Sequence, residues 1–149
     1  MTLSRRQFIQ IAGLLSISPL QLGTALGETV KPGFDTRDTV EALYRLLGKA
    51  ATVASDQIDL QLPSVSNFGA VVPVQVSTDL PDVESITLLS PVNHTPLLAS
   101  FRLTPITEAY IETRIKLAGS TRVMAVVKSR DRLYSKTRQI QVNRVGCRV

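Results

Sequence analysis

The sequence of 149 residues has very few of the residue types on which disulfides, metal centres and most catalytic sites depend. It contains one cysteine, one histidine and no tryptophan. A single cysteine cannot form a disulfide within the chain, and one cysteine with one histidine cannot supply the four ligands of a structural zinc site. No glycine-rich phosphate loop, paired-carboxylate motif or metal-ligand spacing is present. We therefore expect one globular domain that is not an enzyme and holds neither a metal nor a bound cofactor.

The lone histidine is the only candidate for acid–base catalysis by an imidazole. His94 lies in a turn bounded by Pro91 and Pro96, and no partner for it stands near by in the sequence. A histidine in such a turn is usually an exposed residue without a catalytic role. We expect the same of His94.

The first 27 residues have the composition of an export signal. The pair Arg5-Arg6 precedes an uncharged, mostly apolar stretch, Ile9 to Leu26, and Ala25-Leu26-Gly27 places small residues where signal peptidase cleaves. The segment resembles a twin-arginine (Tat) signal, which implies delivery to the periplasm. The alternatives are a membrane anchor or a buried helix, but glycine, serine and proline interrupt the apolar run, which makes it poor for spanning a bilayer. We predict a signal peptide over residues 1–27 and no membrane anchor.

A leading segment, residues 28–52, contains one predicted helix over residues 35–47. An apolar stripe at helical spacing supports it, and its members are Val40, Leu43, Tyr44 and Leu47. Asp35 or Thr36 can cap its first turn, and Gly48 supplies the left-handed residue that ends many helices. The pattern is typical of a surface helix that packs on a sheet.

From residue 53 onward the apolar period changes from that of a helix to that of a strand. Seven short strands are predicted, near 58–62, 72–76, 85–89, 97–103, 110–117, 121–127 and 133–142. Pro73 interrupts the second of them, which favours an edge position for that strand. Short strands without intervening helices predict an immunoglobulin-like antiparallel β-sandwich over residues 53–142.

Charge is divided unevenly along the chain after the export signal. Residues 28–84 carry nine acidic and four basic groups, whereas residues 85–149 carry three acidic and eleven basic groups. The basic groups are densest in Lys128, Arg130, Arg132, Lys136, Arg138, Arg144 and Arg148. Nucleic acid is not an expected partner of an exported protein. Two interpretations therefore stay open: a solvated strand face, or a field that attracts small anions or an acidic partner.

The lone cysteine is the third residue from the end given, in the segment 143–149 that follows the last predicted strand. Seven extended residues reach at most about 23–25 Å, so Cys147 could enter the active site of another protein. Arg148 and Arg144 would favour the thiolate, which is the nucleophilic form. The alternatives are an inert tail cysteine or a disulfide between two chains. The residues alone do not decide between them.

Several sequence blocks, in their order and spacing, resemble the SoxY family of thiosulfate carriers from the sulfur-oxidation (Sox) pathway. These blocks are Ile58–Pro63, Val72–Val76, Ala99–Pro105, Thr113–Ala118, Val123–Val127 and Gly146-Cys147. The resemblance implies an immunoglobulin-like sandwich that forms a heterodimer with a SoxZ-type β-sandwich subunit. It also implies that Cys147 carries sulfur intermediates covalently on a mobile C-terminal arm.

The resemblance further implies three transient partners: a haem enzyme that conjugates thiosulfate to the thiol, a hydrolase that releases sulfate, and a sulfane dehydrogenase. The family's tail is Gly-Gly-Cys-Gly-Gly, and here only Gly146 and Cys147 match it. Val145, Arg148 and Val149 make this arm bulkier and stiffer than glycine would. Two hypotheses follow: a covalent sulfur carrier of the periplasm, or a non-catalytic interaction module that kept the sandwich without the thiosulfate-carrier role.

Overall fold

The structure, a computed structural model, describes residues 32–49, 51–66 and 71–143. They form one helix, α1 (Thr39–Leu47), and nine strands. The strands are β1 (Val53–Ala54), β2 (Ile58–Gln61), β3 (Val65–Ser66), β4 (Val71–Thr78), β5 (Val83–Leu89), β6 (Leu97–Arg102), β7 (Tyr110–Lys116), β8 (Thr121–Ser129) and β9 (Arg132–Val142).

The strands form two sheets that pack face to face. The large sheet has the order β1-β9-β8-β5-β6, with β3 also paired to β9, and the small sheet has the order β2-β4-β7. All seven predicted strands are present and pair antiparallel with one another. The two additional strands, β1 and β3, have two residues each and run parallel to β9. The predicted immunoglobulin-like sandwich is confirmed.

The main core lies between the two sheets and consists of aliphatic side chains. β4 shows why the chain folds this way, because Val72, Val74 and Val76 alternate with more exposed residues and are fully buried. Ile86 and Leu88 of β5 face them from the large sheet and are equally buried. Each such side chain contributes about 1.5–3 kcal/mol when it is removed from water, so this interface holds the sandwich together.

The expectation that Pro73 marks an edge strand is wrong, because β4 is the central strand of the small sheet. Proline is tolerated there because β2 is short. β2 pairs only with Gln75 to Thr78, whereas Pro73 lies opposite Arg114 of β7. At Pro73 one side of β4 therefore has no partner strand, and the missing amide hydrogen costs no ladder hydrogen bond on that side.

The helix begins four residues later than predicted, at Thr39. Its N-cap is Asp38, whose carboxylate accepts a hydrogen bond from the backbone N–H of Glu41 at 2.8 Å. Thr36 does not cap the helix; its hydroxyl donates to the Glu41 carboxylate at 2.9 Å. The C-terminal prediction is confirmed, because Gly48 adopts φ 72° and its N–H donates to the carbonyl of Tyr44.

The helix packs on the outer face of the large sheet through a stripe that includes Leu43 and Leu47 of the predicted one, but not Val40 and Tyr44. Ala42 and Leu43 are buried there against Leu89, Leu97, Val126 and Leu133, with Leu46 and Leu47 partly buried beside them. Val40 and Tyr44 are 60% and 64% exposed. Small Ala42 lets the helix approach closely, and the backbone at Gly33 (φ 96°) lies against it, where a Cβ would come within 2.8 Å of the Ala42 carbonyl oxygen.

The predicted signal peptide, residues 1–27, lies outside the described residues. Among the residues that are described, no helix is long and apolar enough to cross a membrane.

Candidate functional site

The C-terminal segment leaves the sandwich from the end of β9, where backbone hydrogen bonds hold its first residue. The N–H of Gln141 donates to the carbonyl of Ser64 at 2.8 Å, and the N–H of Asn143 donates to the carbonyl of Ser66 at 3.0 Å. These bonds extend the parallel pairing of β3 with β9, in which Ser66 lies opposite Val142. The seven strands predicted from the sequence do not include this short one.

The hydroxyl of Ser120 holds the same point from the turn between β7 and β8. Its Oγ accepts a hydrogen bond from the N–H of Val142 at 2.9 Å. The last residues of β9 are therefore bonded to two separate segments, β3 and the turn at Ser120. We call Val142 and Asn143 the root of the C-terminal segment, because the structure fixes their position in this way.

The loop between β5 and β6 is fastened to the same end of the sandwich. The side-chain amide of Asn93 donates to the carbonyl of Lys116 at 2.8 Å, and its Oδ1 accepts from the N–H of Ala118 at 2.9 Å. Below the loop, the buried Ser90 hydroxyl lies 3.3 Å from that of Thr121. Sequence reasoning missed Asn93 and Ser120, although an asparagine between two prolines is itself a signal for a loop-ordering side chain.

His94 lies in this loop and is exposed, as expected. Within the described residues its side chain makes no hydrogen bond or ion pair. The loop brings His94 to the end of the sandwich that carries the root, and none of the described residues stands beside it as a catalytic partner. Among the described residues, no group of three His, Cys, Asp or Glu side chains could hold a metal ion.

The predicted attachment residue Cys147 lies outside the described residues, as do the other predicted arm residues, Val145, Gly146, Arg148 and Val149. The root limits where Cys147 can be. It is four residues beyond Asn143, so the Cα atoms of the two residues are at most about 13–14 Å apart.

The uneven charge of the sequence is partly cancelled in the fold. Three basic residues of the C-terminal half pair with carboxylates of the acidic half: Lys128 with Glu84 at 2.6 Å, Arg130 with Asp82 at 2.7 Å, and Lys136 with Asp56 at 2.5 Å. The ammonium group of Lys136 donates to the Asp56 carboxylate and lowers the pKa of that carboxyl. These pairs are solvated, so they favour the first of the two interpretations for the residues involved.

Comparison with known proteins identifies the family. The sequence model described as sulfur oxidation protein SoxY matches residues 43–147, which span both sheets and reach Cys147. The chain belongs to the SoxY family. No curated protein sequence matches it.

Solved structures agree with this assignment. The chain is similar to the sulfur carrier protein SoxY from Chlorobium limicola f thiosulfatophilum, with 28% identity over 69% of this chain and 90% of that one, and a TM-score of 0.64. It also resembles a superoxide reductase (neelaredoxin) from Ignicoccus hospitalis, with 16% identity over 62% of this chain and 95% of that one, and a TM-score of 0.54. The second likeness shows a shared fold alone. The SoxY family and the SoxY structure support a carrier role in sulfur oxidation.

Proposed function

We propose that this SoxY-family protein is a covalent carrier subunit of periplasmic thiosulfate or sulfur oxidation, with its cargo attached to the thiol of Cys147. The observation that carries the proposal is that the family match extends as far as Cys147, which is the only cysteine of the chain. The carrier is a substrate of partner enzymes and performs no catalysis itself.

The fixed root supports such a role, because it separates a rigid body from a short tether. Val142 and Asn143 are held by β3 and Ser120, so the sandwich can stay outside a partner while the following residues enter it. A thiol within about 14 Å of Asn143 could then be presented in an enzyme's active site. The residue before the thiol in the sequence is Gly146, and glycine accepts a wider range of backbone conformations than any other residue.

The chemistry requires a nucleophilic sulfur and partners that take up electrons. Joining the Cys147 thiolate to thiosulfate forms a sulfur–sulfur bond and releases two electrons, which the haem enzyme accepts. Attack of water, catalysed by the hydrolase, releases sulfate and leaves a persulfide on the cysteine. The sulfane dehydrogenase then oxidises the remaining sulfur. Arg148, beside Cys147, favours the thiolate that starts the cycle.

Export and partnership complete the proposal. The Tat-like signal over residues 1–27 would deliver the protein to the periplasm, and a SoxZ-type subunit would form a heterodimer with it. We expect the two subunits to co-purify and to sediment as one species. A stable, isolated monomer in sedimentation, with the second subunit present, would contradict the heterodimer.

The deciding experiment is intact-mass spectrometry of protein purified from cells that are oxidising thiosulfate. We expect added sulfur species on the wild-type chain, removed by a thiol reductant, and none on Cys147→Ser. The substitution changes only the sulfur atom to oxygen, so the comparison isolates the thiol. If the wild-type protein carried only a free thiol under these conditions, the carrier proposal would be wrong.

A second candidate function is a non-catalytic periplasmic interaction module. The replacement of the family's glycines by Val145, Arg148 and Val149 favours it, because a wider and stiffer tail fits a narrow channel less well. The same Cys147→Ser variant discriminates between the two functions in the organism. Retained thiosulfate oxidation would favour the module, and its loss would favour the carrier.

A further inference from the structure

A cleft of about 360 Å³ lies on the outer face of the large sheet, where the C-terminal end of α1 meets β5, β6 and β8. Its lining is Leu46, Leu47, Glu84, Ser85, Ser100, Arg102, Leu103 and Lys128. The helix contributes the two leucines, and the sheet contributes every charged and hydroxyl-bearing side chain. The cleft is therefore polar on the side of the sheet and apolar on the side of the helix.

The side chain that needs explanation is Ser85. The residue is only 9% exposed, and its hydroxyl has no hydrogen-bond partner in the structure. Strand register places Arg102 of β6 directly opposite it on one side and Lys128 of β8 on the other. Directly opposed residues have Cβ atoms about 4.5–5.5 Å apart, so a buried hydroxyl donor lies between two cationic side chains.

A β-bulge shapes this part of the cleft. The pairing of β5 with β8 shifts between Val83 and Ser85, so that Glu84 is the extra residue. Strict alternation would send neighbouring side chains to opposite faces of the sheet, but the bulge turns both Glu84 and Ser85 toward the cleft. Glu84 then pairs with Lys128 at 2.6 Å.

The charges in the cleft add up to one net positive charge. Lys128 is balanced by Glu84, whereas Arg102 is exposed and forms no ion pair with any described residue. The hydroxyl of Ser100 lies 3.2 Å from that of Thr87 and adds a further polar group. The carbonyl groups at the C-terminal end of α1 carry a partial negative charge of about half a unit. This charge disfavours an anion but does not cancel the net positive charge of the cleft. The cleft is therefore lined by an arginine without an ion pair among the described residues, Arg102, and by a serine whose hydroxyl has no hydrogen-bond partner, Ser85.

We propose that this cleft binds a small tetrahedral oxyanion of the sulfate class, with Arg102 bonding two oxygens. The Ser85 hydroxyl, whose oxygen is closed to solvent in the structure, turns about χ1 into the cleft on binding and donates to a third oxygen. Guanidinium matches such anions in charge and in the spacing of its donors. A metal cation would meet an uncompensated guanidinium. A water molecule does not reach the Ser85 hydroxyl in this conformation, because its oxygen is closed to solvent.

The ligand of this site is a free anion and is not the cargo of this chain. Lys128 and Thr121 stand seven residues apart on β8, or about 23 Å, and the root lies beyond the Thr121 end. Cys147 can move only about 14 Å from Asn143, so it cannot reach the cleft. Binding does not depend on the proposed function; that function would make sulfate, its released product, the oxyanion that the protein meets.

The test is a calorimetric titration of the full, reduced chain, together with the partner subunit that co-purifies with it, with sodium sulfate at an ionic strength kept constant with chloride. Sulfate does not react with a thiol, so Cys147 takes no part. We expect saturable binding with a dissociation constant below about 10 mM. Arg102→Gln should weaken it at least about thirtyfold, and Ser85→Ala about tenfold, because each removes a hydrogen bond to a charged group.

Arg122→Gln is the matched control, since Arg122 is an exposed arginine on the same face of β8 but six residues from Lys128. It should change the affinity less than about twofold, because salt screens a charge at that distance. Absence of saturation, or equal weakening by Arg102→Gln and Arg122→Gln, would overturn the site. Cys147→Ser should bind sulfate like the wild type, so failure of this site and failure of the carrier function are separable.

Discussion

The two ends of the β-sandwich use their polar side chains in opposite ways. At the end that carries the root, Asn93 and Ser120 form hydrogen bonds to backbone groups of neighbouring segments. At the other end, the buried hydroxyl of Ser85 has no partner, and the exposed Arg102 makes no ion pair with a described residue. At the first end both side chains are hydrogen-bonded, whereas at the second end Ser85 and Arg102 are not, although Ser129 and Lys128 near them are bonded.

This difference indicates which end is scaffold and which can bind. A satisfied hydrogen bond contributes about 1 kcal/mol and fixes geometry, which is what a tethered thiol needs at its point of attachment. A buried polar group without a partner lowers stability, so its presence in a folded protein calls for a reason such as a ligand. For a carrier, the scaffold end holds the tether and leaves the chemistry to the residues beyond it.

The largest effect is expected from breaking the scaffold end at Asn93. Asn93→Ala removes both the donor to Lys116 and the acceptor for the N–H of Ala118. We expect the free energy of unfolding to fall by about 2 kcal/mol, at roughly 1 kcal/mol for each hydrogen bond. Urea unfolding followed by circular dichroism measures this as a lower midpoint with an unchanged slope.

His94→Ala is the matched control, because His94 is the next residue in the same loop and is exposed. It should change the free energy of unfolding by less than about 0.5 kcal/mol, as surface substitutions usually do. If both variants lost the same stability, the loop itself rather than the Asn93 bonds would matter. The contrast between the two ends would then lose its basis.

Most of the fold was predictable because the apolar residues alternate so regularly. The alternation of Val72, Val74 and Val76 with polar residues and proline predicts a strand with one buried face, without reference to the rest of the fold. The exceptions depend on partners that are distant in sequence. Pro73 suggests an edge strand because the sequence of β4 does not reveal that its neighbour β2 is too short to pair with it there. The exposure of Tyr44 depends on which side of the helix meets the sheet.

The two candidate sites differ in what the sequence could reveal about them. Cys147 stands out in the sequence as the only cysteine, and the resemblance to the SoxY family is what suggests its role. The cleft was missed because Ser85, Arg102 and Lys128 come from three strands and meet only through their register. The bulge at Glu84 has no marker in the sequence, such as a glycine, that would have suggested it.

The smallest effect on stability is expected at the other end, from two serines that differ in one respect. Ser129 and Ser85 are both buried, at 5% and 9% exposure, but the Ser129 hydroxyl donates to the carbonyl of Pro81 at 2.5 Å and that of Ser85 has no partner. In sulfate-free buffer, Ser129→Ala should therefore lose about 1–2 kcal/mol of unfolding free energy. Ser85→Ala should lose none and gain up to about 1 kcal/mol, because an unsatisfied hydroxyl leaves the interior. Urea unfolding of the two variants tests this. Equal losses would mean that the Ser85 hydroxyl is already bonded in solution, and it would then not be free to donate to an anion in the cleft.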